Sequence, residues 1–184
     1  MRLPPLEEDR LDAAQRAVLE AIRSGPRGGA HGLAGPFGVW VRAPAVGGPT
    51  QALGAAVRFA SGLADDVREV AICTVGAHYQ ARFEFAAHRA LAEAAGVDPG
   101  LLDRLRDGLP PGFDGLQGLA HRVAHALLDA HRLDDALYAE AHEAFGEAGL
   151  IELVTTVGYY CLVSLTLNAF DIPLTPGMVD PFPR

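Results

Sequence analysis

A carboxylate and an imidazole stand four residues apart in the stretch 68–95, where Glu84 precedes His88 within an otherwise apolar helical pattern. Residues four apart share one face of an α-helix, so the two side chains can act as a unit. Burying a carboxylate is costly without a partner, and a carboxylate–imidazole pair can move a proton near neutral pH. The spacing predicts general acid–base chemistry; the alternative is an ordinary solvated ion pair on a helix surface.

A second carboxylate, Glu69, lies upstream on what the pattern predicts to be a separate helix. Asp65 and Asp66 place negative charge where a helix N-terminus favours it, and we expect a break between helices near 79–81. Glu69 would then reach Glu84 and His88 through tertiary packing. The alternative is a first-turn carboxylate that does no more than stabilise its own helix.

The remaining elements that must position these residues are also helical. Apolar side chains recur at helical spacing, no hairpin signal is present, and the pattern predicts an all-α fold of about 7–9 helices. The expected helices cover residues 11–24, 51–62, 67–78, 82–95, 98–106, 119–131, 134–145 and 149–170. The last is apolar on most sides, which predicts burial in the centre or at a subunit interface. The Gly- and Pro-rich stretch 25–49 is expected to be a packed loop, with one short helix or turn near 36–41.

The composition excludes several functions. The chain has 184 residues, a net charge of −8 and 49% hydrophobic residues. Nucleic acids and anionic membranes require a basic surface, so neither is expected as a partner. All 15 basic residues are arginine, which excludes a lysine Schiff base. With no signal-peptide pattern and no uninterrupted apolar run of about 18 residues, we expect a cytoplasmic protein of one domain, 1–184, outside the membrane.

The remaining reactive side chains favour structural roles. Cys73 and Cys161 are far apart and lie in apolar segments, so both are expected to be buried structural thiols. His121 and His125 have a spacing that can bind zinc, but no third ligand is evident, so an exposed pair is predicted and no metal site. Buried tyrosines usually have a hydrogen-bond partner, which favours a structural role for Tyr160 and leaves a pocket-lining role open.

In combination, these motifs resemble the carboxymuconolactone decarboxylase family, within the alkylhydroperoxidase (AhpD-like) superfamily. The resemblance covers roughly residues 5–175, leaving the tail 171–184 largely outside it. The motifs that carry it are Arg68-Glu69, F-E-F-x-x-H at Phe83–His88, A-x-x-A-G-V ending at Val97, Gly35-Pro36-Phe37, Leu53-Gly54 with Arg58, and Gly158-Tyr159-Tyr160 followed by Asn168. It implies an AhpD-like all-α bundle that forms a homo-oligomer, commonly a trimer or hexamer.

The resemblance also indicates which branch of the superfamily this chain is similar to. The thiol branch carries E…C-x-x-C-x-x-x-H and reduces peroxides with its cysteine pair. When Glu69 and His88 are placed on the outer residues of that motif, the cysteine positions fall on Ala81 and Glu84. A peroxidase cycle needs a thiolate and usually a resolving thiol, so peroxidase chemistry is disfavoured.

For the decarboxylase-like branch, the resemblance implies a small carboxylate or lactone substrate and no metal or organic cofactor. Glu84, His88 and Glu69 are the expected catalytic residues, with His88 as the acid and Glu84 setting its protonation state. Arg58 and Arg27 are expected to bind a substrate carboxylate, with Phe37 and Tyr160 lining the site. The expected function is acid–base decarboxylation or related lyase or isomerase chemistry; the alternative is an oligomeric binding or accessory protein without turnover.

Overall fold

The computed structural model describes residues 2–28 and 32–183, and within them every regular element is helical. A short 3-10 turn, Glu8–Arg10, precedes eight α-helices. In chain order these are α1 Ala13–Ser24, α2 Phe37–Arg42, α3 Pro44–Phe59, α4 Asp65–His78, α5 Arg82–Ala94, α6 Pro99–Arg106, α7 Gly115–Asp129 and α8 Asp135–Ala169. The all-α prediction and the expected number of helices are confirmed.

The centre of the fold is α4, around which α5, α7 and α8 pack. Every residue from Val67 to Gly76 is buried, including Glu69, so this helix has no solvent-facing side along most of its length. Because a buried carboxylate needs a partner, whatever packs against Glu69 must supply one. This argues against the alternative that Glu69 is only a first-turn charge of its own helix.

A tight turn at 79–81, where the break was predicted, places α5 back against α4. Gln80 adopts a positive φ of 47°, and the backbone N–H of Ala81 donates to the carbonyl of Gly76. The side-chain amide of Asn168 on α8 donates to the carbonyl of Tyr79 at 2.8 Å. This helix–turn–helix hairpin places Glu69 on one arm opposite His88 on the other.

The predicted boundaries are wrong at two places. The stretch 44–49 was expected to be loop, but it forms the first turns of α3: Pro44 occupies the first helical turn, where its missing N–H costs nothing. Residues 29–31 of the same expected loop lie outside the described part of the chain. The helix expected at 119–131 begins earlier, at Gly115.

The break expected between the helices at 134–145 and 149–170 is present as a kink. Gly146 has a non-helical backbone (φ 69°, ψ 173°), so α8 consists of two helical parts that meet there.

The long helix α8 was expected to be buried in the centre or at a subunit interface. One of its faces is buried in the fold, whereas the other is exposed. Ile151, Val154, Leu162 and Leu165 are exposed along its other side. By length and composition α8 is apolar enough to cross a bilayer, and half of its most apolar window is buried within the fold, as in a core helix. The exposed side is available for a subunit contact, which stays a prediction.

The tail after α8 is extended, as predicted, but it is fixed to the fold. Arg82 at the start of α5 forms an ion pair with Asp180, with a 2.9 Å contact from its Nε. Phe182 packs edge-on against Phe85 with ring centroids 5.2 Å apart. These contacts hold the preceding residues of the tail beside α5, where they line a cavity.

Adjacent glycines in α3 provide a test of the close packing between α2 and α3. A Cβ atom at Gly47 would lie 2.0 Å from the backbone carbonyl oxygen of Trp40, which cannot move without displacing α2. We expect Gly47→Ala to lower the free energy of unfolding by at least roughly 1–3 kcal/mol, measured by urea denaturation. The matched control is Gly48→Ala, whose new atom would meet a Val18 methyl at an ordinary 3.6 Å. It should be neutral or stabilising by up to about 1 kcal/mol; equal losses in both variants would contradict the packing argument.

Candidate functional site

Three ionisable side chains meet between α4 and α5. His88 Nδ1 lies 2.5 Å from Glu69 Oε2, and His88 Nε2 lies 3.1 Å from Glu84 Oε1. The imidazole is therefore held between two carboxylates, one from its own helix and one from the neighbouring helix. We call Glu69, His88 and Glu84 the acidic triad.

Burial gives the acidic triad its electrostatic character. Glu69, Glu84 and His88 are 2%, 3% and 6% exposed, so water screens their charges little. Burial alone would lower the pKa of His88, but the charges of Glu69 and Glu84 and their contacts with the ring outweigh it and raise this pKa from 6.5 to about 9. His88 is thus an imidazolium at neutral pH, and the acidic triad carries a net charge of about −1.

A fourth charged side chain, Arg68, is also buried beside the acidic triad. Its Nε lies 3.7 Å from Glu69 Oε1, while its terminal nitrogen binds Asp65 at 2.6 Å. The guanidinium is hydrogen-bonded to Asp65 and lies near Glu69 Oε1 without a hydrogen bond from its Nε among the described residues. Its charge therefore acts on one oxygen of Glu69, while His88 contacts the other.

The acidic triad borders a cavity of about 1180 Å³ whose walls come from α2, α3, α5, α8 and the tail. Glu84 and His88 are in its wall, whereas Glu69 lies behind His88. Aromatic side chains form much of the surface near the triad; they are Phe37, Trp40, Phe59, Phe83, Tyr159 and Tyr160. A concave apolar cavity with a few convergent polar groups is the usual form of a small-molecule site.

Two guanidinium groups reach the same cavity without a carboxylate partner among the described residues. Arg27 donates to the backbone carbonyl of Gln51 at 3.1 Å, and its guanidinium carbon lies 5.4 Å from the centroid of the Phe37 ring. Arg58 lies over Phe59 at 5.0 Å, and its buried Nε has no hydrogen-bond partner in the described parts of the chain. Burial lowers the pKa of Arg27, and the charge of Arg58 adds to this. We call Arg27 and Arg58 the arginine pair.

The arginine pair and the acidic triad together give this end of the cavity a positive balance. The arginine pair contributes two positive charges against the net single negative charge of the acidic triad. Farther along the cavity, Arg89 and Arg106 both bind Asp103, and Arg89 also binds Glu93, so those charges compensate each other. The uncompensated positive charge lies in the wall of the cavity that Glu84 also lines, where it favours an anionic ligand.

Two consecutive tyrosines of α8 complete the wall. Tyr160 packs edge-on against the His88 ring with centroids 4.9 Å apart, and Tyr159 packs against Trp40 at 6.3 Å. Gly54 makes room for Tyr159 and for Arg27: a Cβ atom there would lie 1.9 Å from the tyrosine oxygen and 2.7 Å from a guanidinium nitrogen. The predicted close packing at Gly54 is thus present, and it brings α3 against the cavity wall.

The structure brings together all seven residues that the sequence singled out for the site. Glu84, His88, Arg58, Arg27, Phe37 and Tyr160 line the cavity, and Glu69 supports His88 from behind. The site prediction did not include Tyr159, although the Gly158-Tyr159-Tyr160 motif contains it. Phe59 and tail residues such as Met178 were also missed; no local pattern marks them, because only the folded chain brings them to α5.

The cysteines lie outside this arrangement. Cys73 is fully buried, and burial together with nearby negative charge raises the pKa of its thiol well above 9.0. Cys161 is half-buried rather than buried as expected, because it lies at the edge of the buried face of α8; burial also raises its pKa. Neither thiol has the lowered pKa that a nucleophilic thiolate requires.

His121 and His125 form no metal site with their neighbours, and no group of His, Cys, Asp and Glu in ranges 2–28 and 32–183 is arranged to hold an ion. The expectation that both are exposed is wrong for His121. Its Nδ1 lies 3.0 Å from the hydroxyl of Thr74 on the central helix, and burial lowers its pKa to about 4. His125 is exposed, as predicted.

Comparison with known proteins gives a fold relationship. No family model matches the chain, and no curated protein sequence matches it significantly. Among solved structures, a cysteine-to-alanine variant of the debrominase Bmp8 in complex with 2,3,4-tribromopyrrole superposes with a TM-score of 0.61. The alignment covers 94% of this chain and 90% of that chain, with 13% sequence identity. The fold is thus AhpD-like, as the sequence motifs predicted.

The raised pKa of His88 predicts how stability depends on pH. A histidine whose folded pKa lies above its unfolded value stabilises the fold fully below about pH 6.5 and loses that contribution as pH rises through about 9. We expect the free energy of unfolding to fall by up to roughly 3 kcal/mol over this interval. An NMR titration of the His88 ring should give a midpoint near 9.

The variant Glu69→Gln should lower that midpoint, since it removes one of the two charges that raise the pKa. Glu93→Gln is the matched control, because Glu93 also lies on α5 but pairs with Arg89 outside the acidic triad. A His88 midpoint near 6.5 in the unaltered protein would overturn the assignment of an imidazolium.

Proposed function

We propose that this protein is an acid–base enzyme acting on a small carboxylic acid or lactone, through decarboxylation or related lyase or isomerase chemistry. The observation that carries the proposal is the arginine pair beside the acidic triad in one cavity. An anion drawn to Arg27 and Arg58 would lie next to a buried proton-transfer group. Binding and proton transfer are the two elements that this chemistry requires.

The proton route follows from the contacts of His88. Both ring nitrogens face carboxylates, so the imidazolium is not free to donate directly into the cavity. Glu84, which shares the cavity wall, would exchange the proton with the substrate carbon, and His88 would supply or withdraw the proton behind it. Glu69 would hold the ring in position and stabilise its positive charge.

The aromatic walls support a small, partly apolar substrate. The rings of Phe37 and Phe59 lie against the arginine pair and favour fixed orientations of the guanidinium groups. Arg27 and Arg58 are partly buried, so water screens their charges less than in free solution. Bmp8 shares this fold and holds a small planar ligand, which is consistent with a small-molecule substrate here.

Within the AhpD-like superfamily, we place the chain in the carboxymuconolactone decarboxylase family on the motifs around Glu69 and His88. The same resemblance implies a homo-oligomer, and the exposed apolar side of α8 is suited to a subunit contact. We propose a cytoplasmic location as well. The alternative is a binding or accessory protein that uses the same cavity without turnover. A thiol peroxidase is disfavoured for two reasons. Cys73 is buried, and the two positions that carry cysteines in the thiol branch are Ala81 and Glu84 here.

The first test combines a ligand screen with two substitutions. Small mono- and dicarboxylic acids and lactones are screened by thermal shift, and mixtures with the ligands found are analysed by mass spectrometry for product. Glu84→Gln and His88→Gln should each lower kcat by at least roughly 100-fold, because each removes part of the proton route. Circular dichroism and size-exclusion chromatography should show that folding and assembly persist.

Glu93→Gln is the control for this test, since it makes the same chemical change on α5 outside the acidic triad; its kcat should be unchanged. Binding without product for every ligand would contradict the enzyme and favour the accessory protein. Loss of a reactive thiol on treatment with hydroperoxide would instead support the peroxidase.

A second test concerns the arginine pair. Arg58→Met keeps much of the side-chain volume over Phe59 but removes the charge. We expect roughly 10- to 100-fold weaker binding of the acid ligands, the loss typical of a charge-assisted hydrogen bond. Arg106→Met is the control, because Arg106 is compensated by Asp103 and Asp107. Isothermal titration calorimetry measures both; equal effects in the two variants would contradict a carboxylate site at Arg58.

A further inference from the structure

Two phenol hydroxyls that open to the cavity point to a second polar contact for the ligand. Tyr159 and Tyr160 are 5% and 2% exposed as residues, and both line the cavity. Neither hydroxyl has a hydrogen-bond partner among residues 2–28 and 32–183, contrary to the expectation of structural satisfaction. Neither oxygen is among the buried polar atoms that lack a partner, so both are open to the cavity. A tyrosine whose ring is buried usually has a partner for its hydroxyl. Two unpartnered hydroxyls lie on adjacent residues of the cavity wall. They are therefore available to donate hydrogen bonds to a ligand in the cavity.

The charges of the acidic triad and the arginine pair act on both tyrosines. Tyr160 is influenced by Glu84, Arg58 and Glu69, and Tyr159 by Arg27, Glu84 and Arg58. Burial is the main cause that raises the pKa of both tyrosines. For Tyr160, the negative charge of Glu84 is the second cause. Both phenols therefore stay protonated at any working pH, and each has an O–H to donate.

The two rings are held firmly enough to present their hydroxyls together. Their centroids lie 5.2 Å apart with the ring planes at 90°, and each ring also packs against a further ring, Trp40 or His88. Gly54 leaves the space that the Tyr159 oxygen occupies. The two rings are thus held in place by packing from α2, α3 and α5, which limits the reorganisation needed when a ligand binds.

We propose that the hydroxyls of Tyr159 and Tyr160 donate hydrogen bonds to one oxygen atom of the ligand, whose carboxylate is held by the arginine pair. The ligand class is then a small acid that carries a carbonyl or enolic oxygen in addition to its carboxylate. This inference rests on the proposed function for the carboxylate, and adds the second oxygen and the residues that recognise it.

The arrangement has a defined chemical consequence for proton transfer at the carbon beside that carbonyl. When Glu84 takes the proton from carbon, the electron pair of the C–H bond moves to form C=C, and the carbonyl electron pair moves onto oxygen. The resulting enolate oxygen accepts both tyrosine hydrogen bonds. In a ligand with a neighbouring β,γ C=C, Glu84 returns the proton to the γ carbon, and the electron pair of that C=C forms the new C–H bond. The enolate C=C then moves to the α,β position and the oxygen electron pair re-forms the carbonyl, which completes an isomerisation. No oxidant or further reactant is required.

The test uses two probes that differ by one oxygen, 4-hydroxy-3-nitrobenzoate and 3-nitrobenzoate. Both carry a carboxylate, but only the first carries a phenol, whose ionisation is read from its visible absorbance. The unaltered protein should bind the hydroxylated probe more tightly at pH 8 and lower the pKa of its phenol, because two donors stabilise the phenolate. Tyr159→Phe and Tyr160→Phe should each weaken binding of this probe roughly 10-fold, and up to roughly 100-fold together.

Three controls separate this inference from the proposed function. 3-Nitrobenzoate should bind the tyrosine variants as it binds the unaltered protein, since it lacks the oxygen in question. Tyr138→Phe, at an exposed tyrosine outside the cavity, should change neither affinity. Arg58→Met should weaken the binding of both probes alike, because both carry the carboxylate. This variant therefore tests the carboxylate contact and not the tyrosines. If binding is not weakened, the carboxylate site at Arg58 is contradicted, and the tyrosine variants are judged by themselves.

The inference is overturned if the double tyrosine variant, folded by circular dichroism, retains the unaltered affinity and phenol pKa shift. Equal weakening of both probes in that variant also overturns it, because packing and not hydrogen bonding would then be lost. Absence of binding of either probe to the unaltered protein counts against it as well, since a site with both contacts accommodates both probes.

Discussion

The structure depends on the burial of two carboxylates against one imidazole at its centre. Glu69 and Glu84 would be costly to bury as isolated charges, and His88 as an imidazolium contacts both and offsets one of the two charges. The cost of breaking such a group exceeds the benefit of forming it, because a lone buried charge would remain. The acidic triad therefore constrains α4 and α5 to one relative position, and the turn between these helices must satisfy that constraint.

The same burial makes the site chemically useful. In water, a histidine between two carboxylates would be screened, and its proton would exchange freely with solvent. Here water screens the charges little, and Glu69 and Glu84 outweigh the burial that by itself would lower the pKa of His88, so the imidazolium stays protonated at neutral pH. The positive charge of Arg27 and Arg58 acts on an anion that enters the cavity lined by Glu84. Binding and proton transfer are thus coupled through electrostatics.

Much of the fold was predictable from the sequence, because it follows from local rules. Asp12 forms the capping box that starts α1, and the break at 79–81 and the Asp98 cap of α6 lie where the pattern placed them. The failures were at positions where tertiary contacts outweigh local preference. The first turns of α3 are helical despite two glycines and two prolines, since close packing against Trp40 requires a glycine there. The first turn of α7 begins at Gly115, earlier than expected, and Gln117 is held there by Asp66 at 2.9 Å.

The sequence by itself determined the types of side chain that do the chemistry and their spacing within each helix, because i to i+4 neighbours are fixed by helix geometry. Thus Glu84 and His88 were recognisable as a pair. Only the tertiary structure decided that Glu69 completes the acidic triad from another helix and that Arg27 and Arg58 face the same cavity without carboxylate partners. It also decided that Tyr159 and Tyr160 present free hydroxyls to that cavity. These relations depend on long-range packing, and neither burial nor the pairing of a charge is encoded in local spacing.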